Sequence, residues 1–372
     1  MPTSCLTPTL SAQPDECPRP ILRRANRVYA HNRGAADRLI AQRSAFAAGG
    51  RQDRFFWRAM NECFAYHFLH NLHYRSLCQQ REIYPGDIRS YADLEKIPYI
   101  SEADSLGSLL PSGDGTAVQL HLFGRDVQGN ELSIPLEARS MRRIRRAALN
   151  IGHAYGLQSR EKVNYIVLTD SQAHERGVGH VWYRSLLTQL TRTRRLFYTG
   201  SQADGFGAII RECASSGHPM RIIGHLEKLA AIAESAQQAS EDLGQLPPRS
   251  RVFAISPWYC PDKAVINERI AEYFGLPKTS IIAISTIPMQ VLPYASCEAG
   301  RMHLPAYARA IVRHPQTLEP LSAGQTGRLQ FLSPCLTSCS ALAILSNYLG
   351  RLEFDCPCGR RVPAIAVEGY YV

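Results

Sequence analysis

Hydrophobic and polar positions follow three different patterns along the chain. From Arg24 to about Gln80 the apolar residues recur at helical spacing. From about Lys162 short β-rich runs alternate with helical stretches, which is typical of βαβ units and a mainly parallel sheet. After Pro305 the helical spacing stops, and apolar runs alternate with turn residues. These patterns predict an α/β protein with a helical N-terminal part and a β-rich C-terminal part.

The patterns divide the chain into four regions. We expect a disordered, proline-rich leader at 1–20, a helical region at 21–110, an α/β core at 111–304 and a β-rich subdomain of the same fold at 305–372. Strands are predicted at 163–168, 195–199, 220–223, 251–255 and 281–284 in the core, and at 307–313, 327–332, 341–345 and 351–354 in the subdomain.

Composition favours a globular protein. The 372 residues are 45% hydrophobic, which is enough to form a large core. We find no run of eighteen apolar residues and no charged start followed by an apolar stretch, so we predict no membrane span and a cytoplasmic location.

The net charge of +10 comes almost wholly from arginine, because only five of the 42 basic residues are lysines. The densest basic segment is Arg139–Arg146, in which Met141 and Ile144 share one helical face. No nucleic-acid-binding motif accompanies it, so we predict no nucleic-acid partner and favour a solvated helix face. Docking of an acidic carrier protein is the functional alternative.

Eleven cysteines, an odd number in a chain without a signal peptide, do not indicate a disulfide framework. Four residues in two short motifs could bind a metal instead: Cys297 and His303 in a C-x5-H pair, and Cys356 and Cys358 in a C-x-C pair. Three thiolates and one imidazole are the ligand set of a closed structural zinc site. The alternative interpretations are a reactive thiol, or a buried thiol beside an ordinary loop histidine.

The order of motifs from Gly224 to Arg360 resembles a known family. The segment runs from GHLEKLAAI, through SCEAGRMHLPAYARAIVRHPQTLEPLSAGQTGRLQFLSP, to ILSNYLGRLEFDCPCGRR. It is similar to the acyl-protein synthetases of bacterial luminescence operons and, more distantly, to phenylacetate–CoA ligases, both branches of the adenylate-forming superfamily. The implied fold is the large N-terminal domain of these enzymes, and the small C-terminal domain of the superfamily has no counterpart in this sequence.

The resemblance implies that a carboxylic acid and ATP form an acyl-adenylate, from which the acyl group passes to a thiol. Neutralising the phosphate charge requires backbone N–H groups, Mg²⁺ and a cation. In the luminescence synthetases a cysteine near the C-terminus accepts the acyl group, and Cys356 or Cys358 match it by position. A zinc-bound thiolate is shielded, so we do not expect one cysteine to serve in both roles.

Four expected nucleotide-site features are altered. The phosphate loop corresponds to Leu122–Gly129, which keeps Gly124 and Gly129 but has no hydroxyl side chain. Gln290 takes the place of an acidic Mg²⁺ ligand, and Asn347 takes the place of the acid that binds the ribose. The Gly-Arg pair expected near the end of the large domain is Gly-Tyr here. An amide oxygen is a weaker ligand for a hard dication than a carboxylate.

Trp258 stands where relatives carry a glycine-rich turn against the adenine. It either fills that pocket or packs in the core.

Three hypotheses of function follow from the sequence. The first is an acyl-protein synthetase-like protein that activates or transfers an acyl group in fatty-acid or secondary metabolism, using ATP and Mg²⁺ and acting with an acyl carrier protein or an acyl reductase. The second is a non-catalytic pseudo-ligase that is the partner of an active synthetase or reductase. The third is an ATP-independent acyltransferase or condensing protein that uses a preformed thioester.

Overall fold

The computed structural model describes residues 34–102, 107–108, 110–113, 118–125, 131–159, 161–168, 195–199, 205–239 and 245–371. The predicted disordered leader at 1–20 lies outside these residues. The α-helices are α1 (Ala35–Ala41), α2 (Gly50–His70), α3 (Leu72–Gln80), α4 (Ala138–Ala154), α5 (Phe206–Ala214), α6 (Leu226–Gln238) and α7 (Lys263–Tyr273). None of the described helices is long and apolar enough to cross a membrane.

The described strands form three sheets. The first has the order β10-β9-β8-β7-β5-β6 and is parallel except for β10, which pairs antiparallel with β9. Its strands are β5 (Asn164–Leu168), β6 (Arg195–Thr199), β7 (Met220–His225), β8 (Arg251–Ile255), β9 (Ile281–Ile287) and β10 (Leu292–Ala295). Five of these lie where the sequence predicted strands, and the parallel pairing is as predicted.

The second sheet has the order β11-β15-β14-β13-β12, and a short strand, β1, pairs with β14 off this path. Its strands are β1 (Ile100–Ser101), β11 (Met302–His303), β12 (Arg309–Arg313), β13 (Gly327–Leu332), β14 (Ala343–Glu353) and β15 (Ala364–Tyr370). A third sheet of order β2-β4-β3 comprises β2 (Gly107–Ser108), β3 (Val118–Arg125) and β4 (Glu131–Glu137). The region 21–110, which we predicted as helical, thus also contains β1 and β2.

Strand β14 corrects one prediction. The sequence suggested two strands, 341–345 and 351–354, separated by a turn, but the structure has a single strand. Gly350 explains the difference: a Cβ there would lie 2.3 Å from the carbonyl oxygen of Ala366, so this glycine permits a close approach of β15 and does not mark a turn. The pairing of β14 with β15 shifts register at Leu349 and Gly350, as expected for a bulge.

Helices cover both faces of the parallel sheet. Alternate residues of a strand point to opposite faces, and in β5 Tyr165 and Val167 join one hydrophobic core while Ile166 and Leu168 join another. The first core includes the apolar stripe of α4, and the second lies against α5, α6 and α7. Helix α4 begins where the Glu137 carboxylate accepts a hydrogen bond from the backbone N–H of Ser140. This arrangement leaves the loops of β10–β11 and β14–β15 at the junction of the first two sheets.

Candidate zinc centre and nucleotide site

Two tight turns present the four predicted metal ligands. The first follows β10, where the N–H of Gly300 donates to the carbonyl of Cys297 at 2.8 Å. The second lies between β14 and β15, where the N–H of Gly359 donates to the carbonyl of Cys356 at 3.0 Å. Both glycines have positive φ, +73° and +77°, in the left-handed region that favours glycine. Each C-x-x-G turn therefore holds its first cysteine on a compact loop.

Strand pairing brings these two turns together. His303 follows the first turn in β11 and pairs with Ala364 in β15, which follows the second turn. The thiol sulfurs and one imidazole nitrogen of Cys297, His303, Cys356 and Cys358 all lie within 4.8 Å of one another. The sulfurs of Cys297 and Cys356 are 3.5 Å apart, and Nε2 of His303 is 3.2 Å from the sulfur of Cys358.

The imidazole of His303 is oriented from its other side. Nδ1 lies 3.0 Å from the carbonyl oxygen of Val362, so it donates to that oxygen and leaves the Nε2 lone pair facing the thiols. Burial lowers the pKa of His303, and the Val362 carbonyl opposes this only in part. The ring is thus kept neutral and in the tautomer that a zinc ligand needs.

The thiols differ in their tendency to ionise. Burial raises the pKa of Cys297 to about 12. Burial also opposes ionisation of Cys358, but hydrogen bonds from the backbone and side chain of Arg360 outweigh it and lower the pKa of that thiol. A divalent cation would supply the positive charge that thiolates in this partly buried cluster require. The donor set, spacing and outer hydrogen bond fit a tetrahedral zinc ion.

Arg360 and Val362 are contributors to this site that the sequence analysis missed. Arg360 forms an ion pair with Glu298 at 3.1 Å, and its guanidinium lies 4.8 Å from the ring centre of Tyr155 and 5.4 Å from that of Phe46. A basic residue two positions after a C-x-C motif was the available signal for Arg360. Val362 acts through its backbone, for which a sequence carries no signal.

The predicted phosphate-loop residues lie at a β-hairpin. Gly124 is in β3, paired with Leu132 of β4, and not in a loop. Gly129 falls in 126–130, outside the described residues. Residues 122–125 of the predicted loop are therefore part of a strand.

Gln290 is buried and already engaged with the protein. Its side-chain amide donates to the carbonyls of Phe331 at 3.1 Å and Ala341 at 3.0 Å, and so ties the segment after β9 to β13 and to the start of β14. Its Oε1 is buried and has no hydrogen-bond partner among the described residues. The amide nitrogen of Gln290 is thus engaged with the protein, whereas its oxygen is buried and unpaired among the described residues.

Asn347 lies in β14 and is also buried. Its side-chain oxygen accepts a hydrogen bond from Arg328 at 3.1 Å, and its backbone N–H donates to the carboxylate of Glu102 at 3.0 Å. The Arg328 guanidinium in turn lies 4.4 Å from the ring centre of Tyr371. The sequence analysis missed Arg328 and Glu102, because strand register and a contact 245 residues apart in sequence bring them to Asn347.

Trp258 belongs to an aromatic cluster between β8 and the second sheet. Its ring centre lies 4.9 Å from Tyr294, 5.4 Å from Phe331 and 6.3 Å from Tyr348. The indole N–H donates to the carbonyl of Thr286 at 2.8 Å, and only 6% of the residue is exposed. Trp258 is therefore a core residue at the place where the resemblance puts an adenine pocket.

Comparison with known proteins supports the resemblance in two ways. A family model described as acyl-protein synthetase, LuxE, matches residues 259–368, which include all four cluster residues, Gln290 and Asn347. No curated protein is significantly similar to the chain in sequence.

Solved structures of adenylate-forming ligases share the fold. The chain is similar to a 2-hydroxyisobutyryl-CoA ligase in complex with 2-HIB-AMP and CoA, with 17% identity, 88% of this chain and 70% of that chain covered, and a TM-score of 0.68. It is similar to the same ligase in its postadenylation state, with 17% identity, coverage of 89% and 71%, and a TM-score of 0.66. The predicted α/β fold is confirmed: the chain has the fold of the adenylate-forming ligases, and its residues 259–368 are similar to the LuxE acyl-protein synthetases.

Proposed function

We propose that this protein is an acyl-protein synthetase-like enzyme, which activates a carboxylic acid as an acyl-adenylate and passes the acyl group to a thiol. The match of residues 259–368 to the LuxE family is the observation that carries the proposal. The adenylate-forming fold over 88% of the chain supports it. A cytoplasmic location remains our prediction.

ATP and Mg²⁺ would bind near Gln290 and Asn347, with Gly124 and Gly129 flanking the phosphates. Bound ATP would supply the adenylyl group that converts a carboxylate oxygen into a leaving group. The Oε1 of Gln290 has no hydrogen-bond partner among the described residues, and it is the atom that we propose as a ligand of Mg²⁺. Arg328, held beside Asn347, places a permanent cation in this part of the site.

We propose that Cys297, His303, Cys356 and Cys358 hold one structural zinc ion. A closed set of four protein ligands leaves no position for a reacting group. Cys356 and Cys358 are acyl acceptors only if they do not bind zinc. With zinc bound, the acceptor is a thiol of another molecule, such as an acyl carrier protein or an acyl reductase.

One observation favours a second candidate function. Gln290 and Asn347 both use their side chains to tie protein segments together, and Trp258 is packed among aromatic rings. A protein with these features could have kept the fold and lost ATP use. It would then act as a non-catalytic partner of an active synthetase or reductase, or as an acyltransferase that takes a preformed thioester.

Calorimetric titration separates the two candidates. The protein is titrated with ATP and Mg²⁺, and then with a non-hydrolysable acyl-adenylate analogue. Micromolar binding of either, together with acid-dependent exchange of pyrophosphate into ATP across a panel of carboxylic acids, is the expected result. The absence of heat from folded, zinc-loaded protein would refute adenylation and favour the second candidate.

Two substitutions sharpen this test. Asn347→Asp restores the acidic residue and adds charge to its hydrogen bond with Arg328, so we expect tighter ATP binding than in the wild type. Asn267→Asp is the control, because Asn267 makes the same change of charge in α7, where it is half-buried and away from Asn347. Equal effects of the two substitutions would argue against a ribose-binding role for Asn347.

A further inference from the structure

Helices α1 and α4 lie side by side and are joined at both ends. Near the start of α1, the carboxylate of Asp37 accepts two hydrogen bonds from the buried guanidinium of Arg143, at 2.7 and 2.9 Å. At its end, the side chain of Asn150 donates to the carbonyls of Ile40 and Gln42. Arg143 and Asn150 are seven positions apart on α4, so the two helices run in the same direction along a shared seam.

The outer surface of this helix pair is rich in arginine. Residues 35–43 contain two arginines and residues 138–154 contain five, against a single acidic residue, Asp37. Four of these arginines are exposed: Arg38 and Arg43 in and just after α1, and Arg142 and Arg146 one turn apart on α4. We call these four residues the arginine face.

The pairing of Asp37 with Arg143 leaves the arginine face without a compensating charge. Asp37 is the only carboxylate in the two segments, and burial that favours its neutral form is outweighed by Arg143, which lowers its pKa. Within the described part of the chain, none of the four arginines forms an ion pair with a carboxylate. Clustered unpaired guanidinium groups create a positive potential that attracts an anionic surface.

The arginine face adjoins the zinc cluster through α4. Tyr155 directly follows α4, and its ring packs against the guanidinium of Arg360 in the second cysteine turn. The Tyr155 hydroxyl also donates to the carbonyl of Ala295, just before the first cysteine turn. The helix that carries Arg142 and Arg146 therefore ends against the part of the chain that the family model matches.

We infer that the arginine face is the docking site of an acidic partner protein, which presents carboxylates along a helix. Guanidinium groups bind carboxylates in a planar, bidentate geometry, and Arg142 and Arg146 repeat at the i, i+4 spacing of a facing helix. Single-stranded nucleic acid fits less well, because the exposed positions of α1 and α4 include no phenylalanine, tyrosine or tryptophan on which bases could stack. This inference goes beyond acyl activation, because it assigns a protein-binding surface that the proposed chemistry does not use.

Fluorescence anisotropy tests the inference with three labelled probes: a helical peptide with glutamates at i, i+4 spacing, the same peptide with glutamines, and a single-stranded DNA oligonucleotide. We expect the wild type to prefer the glutamate peptide. The double variant Arg142→Glu/Arg146→Glu should weaken that binding at least tenfold, about 1.4 kcal/mol. A higher salt concentration should also weaken the binding of the glutamate peptide to the wild type.

The control is Arg89→Glu/Arg249→Glu, which changes the net charge equally at exposed positions outside the two helices. It should change the affinity less than threefold. Equal weakening by both double variants would overturn the inference, as would a wild type that does not prefer the glutamate peptide. Tighter binding of DNA that is lost in the Arg142/Arg146 variant would overturn it in favour of nucleic acid. Because the assay contains neither ATP nor an acyl substrate, these outcomes are independent of the test for adenylation.

Discussion

Replacing Cys297 with serine should remove the metal from the candidate zinc centre. Cys297 is 3% exposed and its sulfur lies 3.5 Å from that of Cys356, so the substitution removes one ligand from inside the cluster. A serine hydroxyl is a poor ligand for zinc at neutral pH, whereas a thiolate is a strong one. We expect the zinc content to fall from one ion per chain to a small fraction of that.

The loss of zinc should appear as a loss of stability. The four ligands come from two segments more than fifty residues apart, so only the folded chain brings them together, and metal binding contributes directly to the free energy of folding. With free zinc 1,000-fold above its dissociation constant, this contribution is about 4 kcal/mol. For a chain of this size, the melting temperature should fall by about 5 °C.

The assay combines elemental analysis with thermal unfolding. Protein purified without chelator or nickel resin is analysed for zinc, and its melting temperature is measured with and without EDTA. Cys78→Ser is the matched control, because Cys78 is buried like Cys297 but lies outside the cluster. A wild type with well under one zinc per chain, or a Cys297→Ser variant that melts with the wild type, would refute the reasoning.

Three further predictions concern stability. Burial lowers the pKa of His67 to about 3 from its ordinary 6.5. Between these two values the unfolded chain binds a proton that the folded chain does not. The free energy of unfolding therefore falls as the pH drops below 6.5, by about 2 kcal/mol at pH 5. Urea unfolding at pH 7 and 5 should show a smaller difference for His67→Gln, and an unchanged difference would contradict this assignment. Asp37→Asn should cost about 2–3 kcal/mol in denaturant unfolding, because it removes the anion from the buried Arg143, and a cost below about 0.5 kcal/mol would contradict that role. Gly350→Ala should lower the free energy of unfolding by about 1–3 kcal/mol, because the new methyl group meets the carbonyl of Ala366 in β15. Gly369→Ala, with open space around it, should be nearly neutral. Equal melting temperatures of the two variants would disprove the close approach.

The sequence predicted best those features that depend on local spacing. The strands 251–255 and 327–332 have the predicted bounds, because continuous apolar runs between turn residues are a local signal. The four cluster residues could be named because each pair lies within one short motif. The pairing of β11 with β15 brings the two motifs together. The sequence analysis did not predict β15.

Features that depend on distant contacts could not be predicted. Gly350 suggested a turn, although its role is to let a neighbouring strand approach. The hydrogen bonds of Asn347 to Arg328 and Glu102 require the register of β13 and β14 and the path of the chain after β1. Trp258 left two interpretations open, since its aromatic neighbours come from three different strands.

The position of the cysteine turns also affects how the protein reaches its folded state. Cys297 and Cys358 are about 60 residues apart and enclose β12, β13 and β14, so a metal that joins them closes a loop around most of the second sheet. Closing a loop of that length costs about 4 kcal/mol of chain entropy. While the metal joins the two cysteine turns, the chain does not have to meet this cost again when the strands between them pair. Metal supply during synthesis would then set how quickly newly made chains mature. Chains made under zinc starvation would keep the edge strand β11 unanchored for longer, and so be exposed to proteolysis and aggregation.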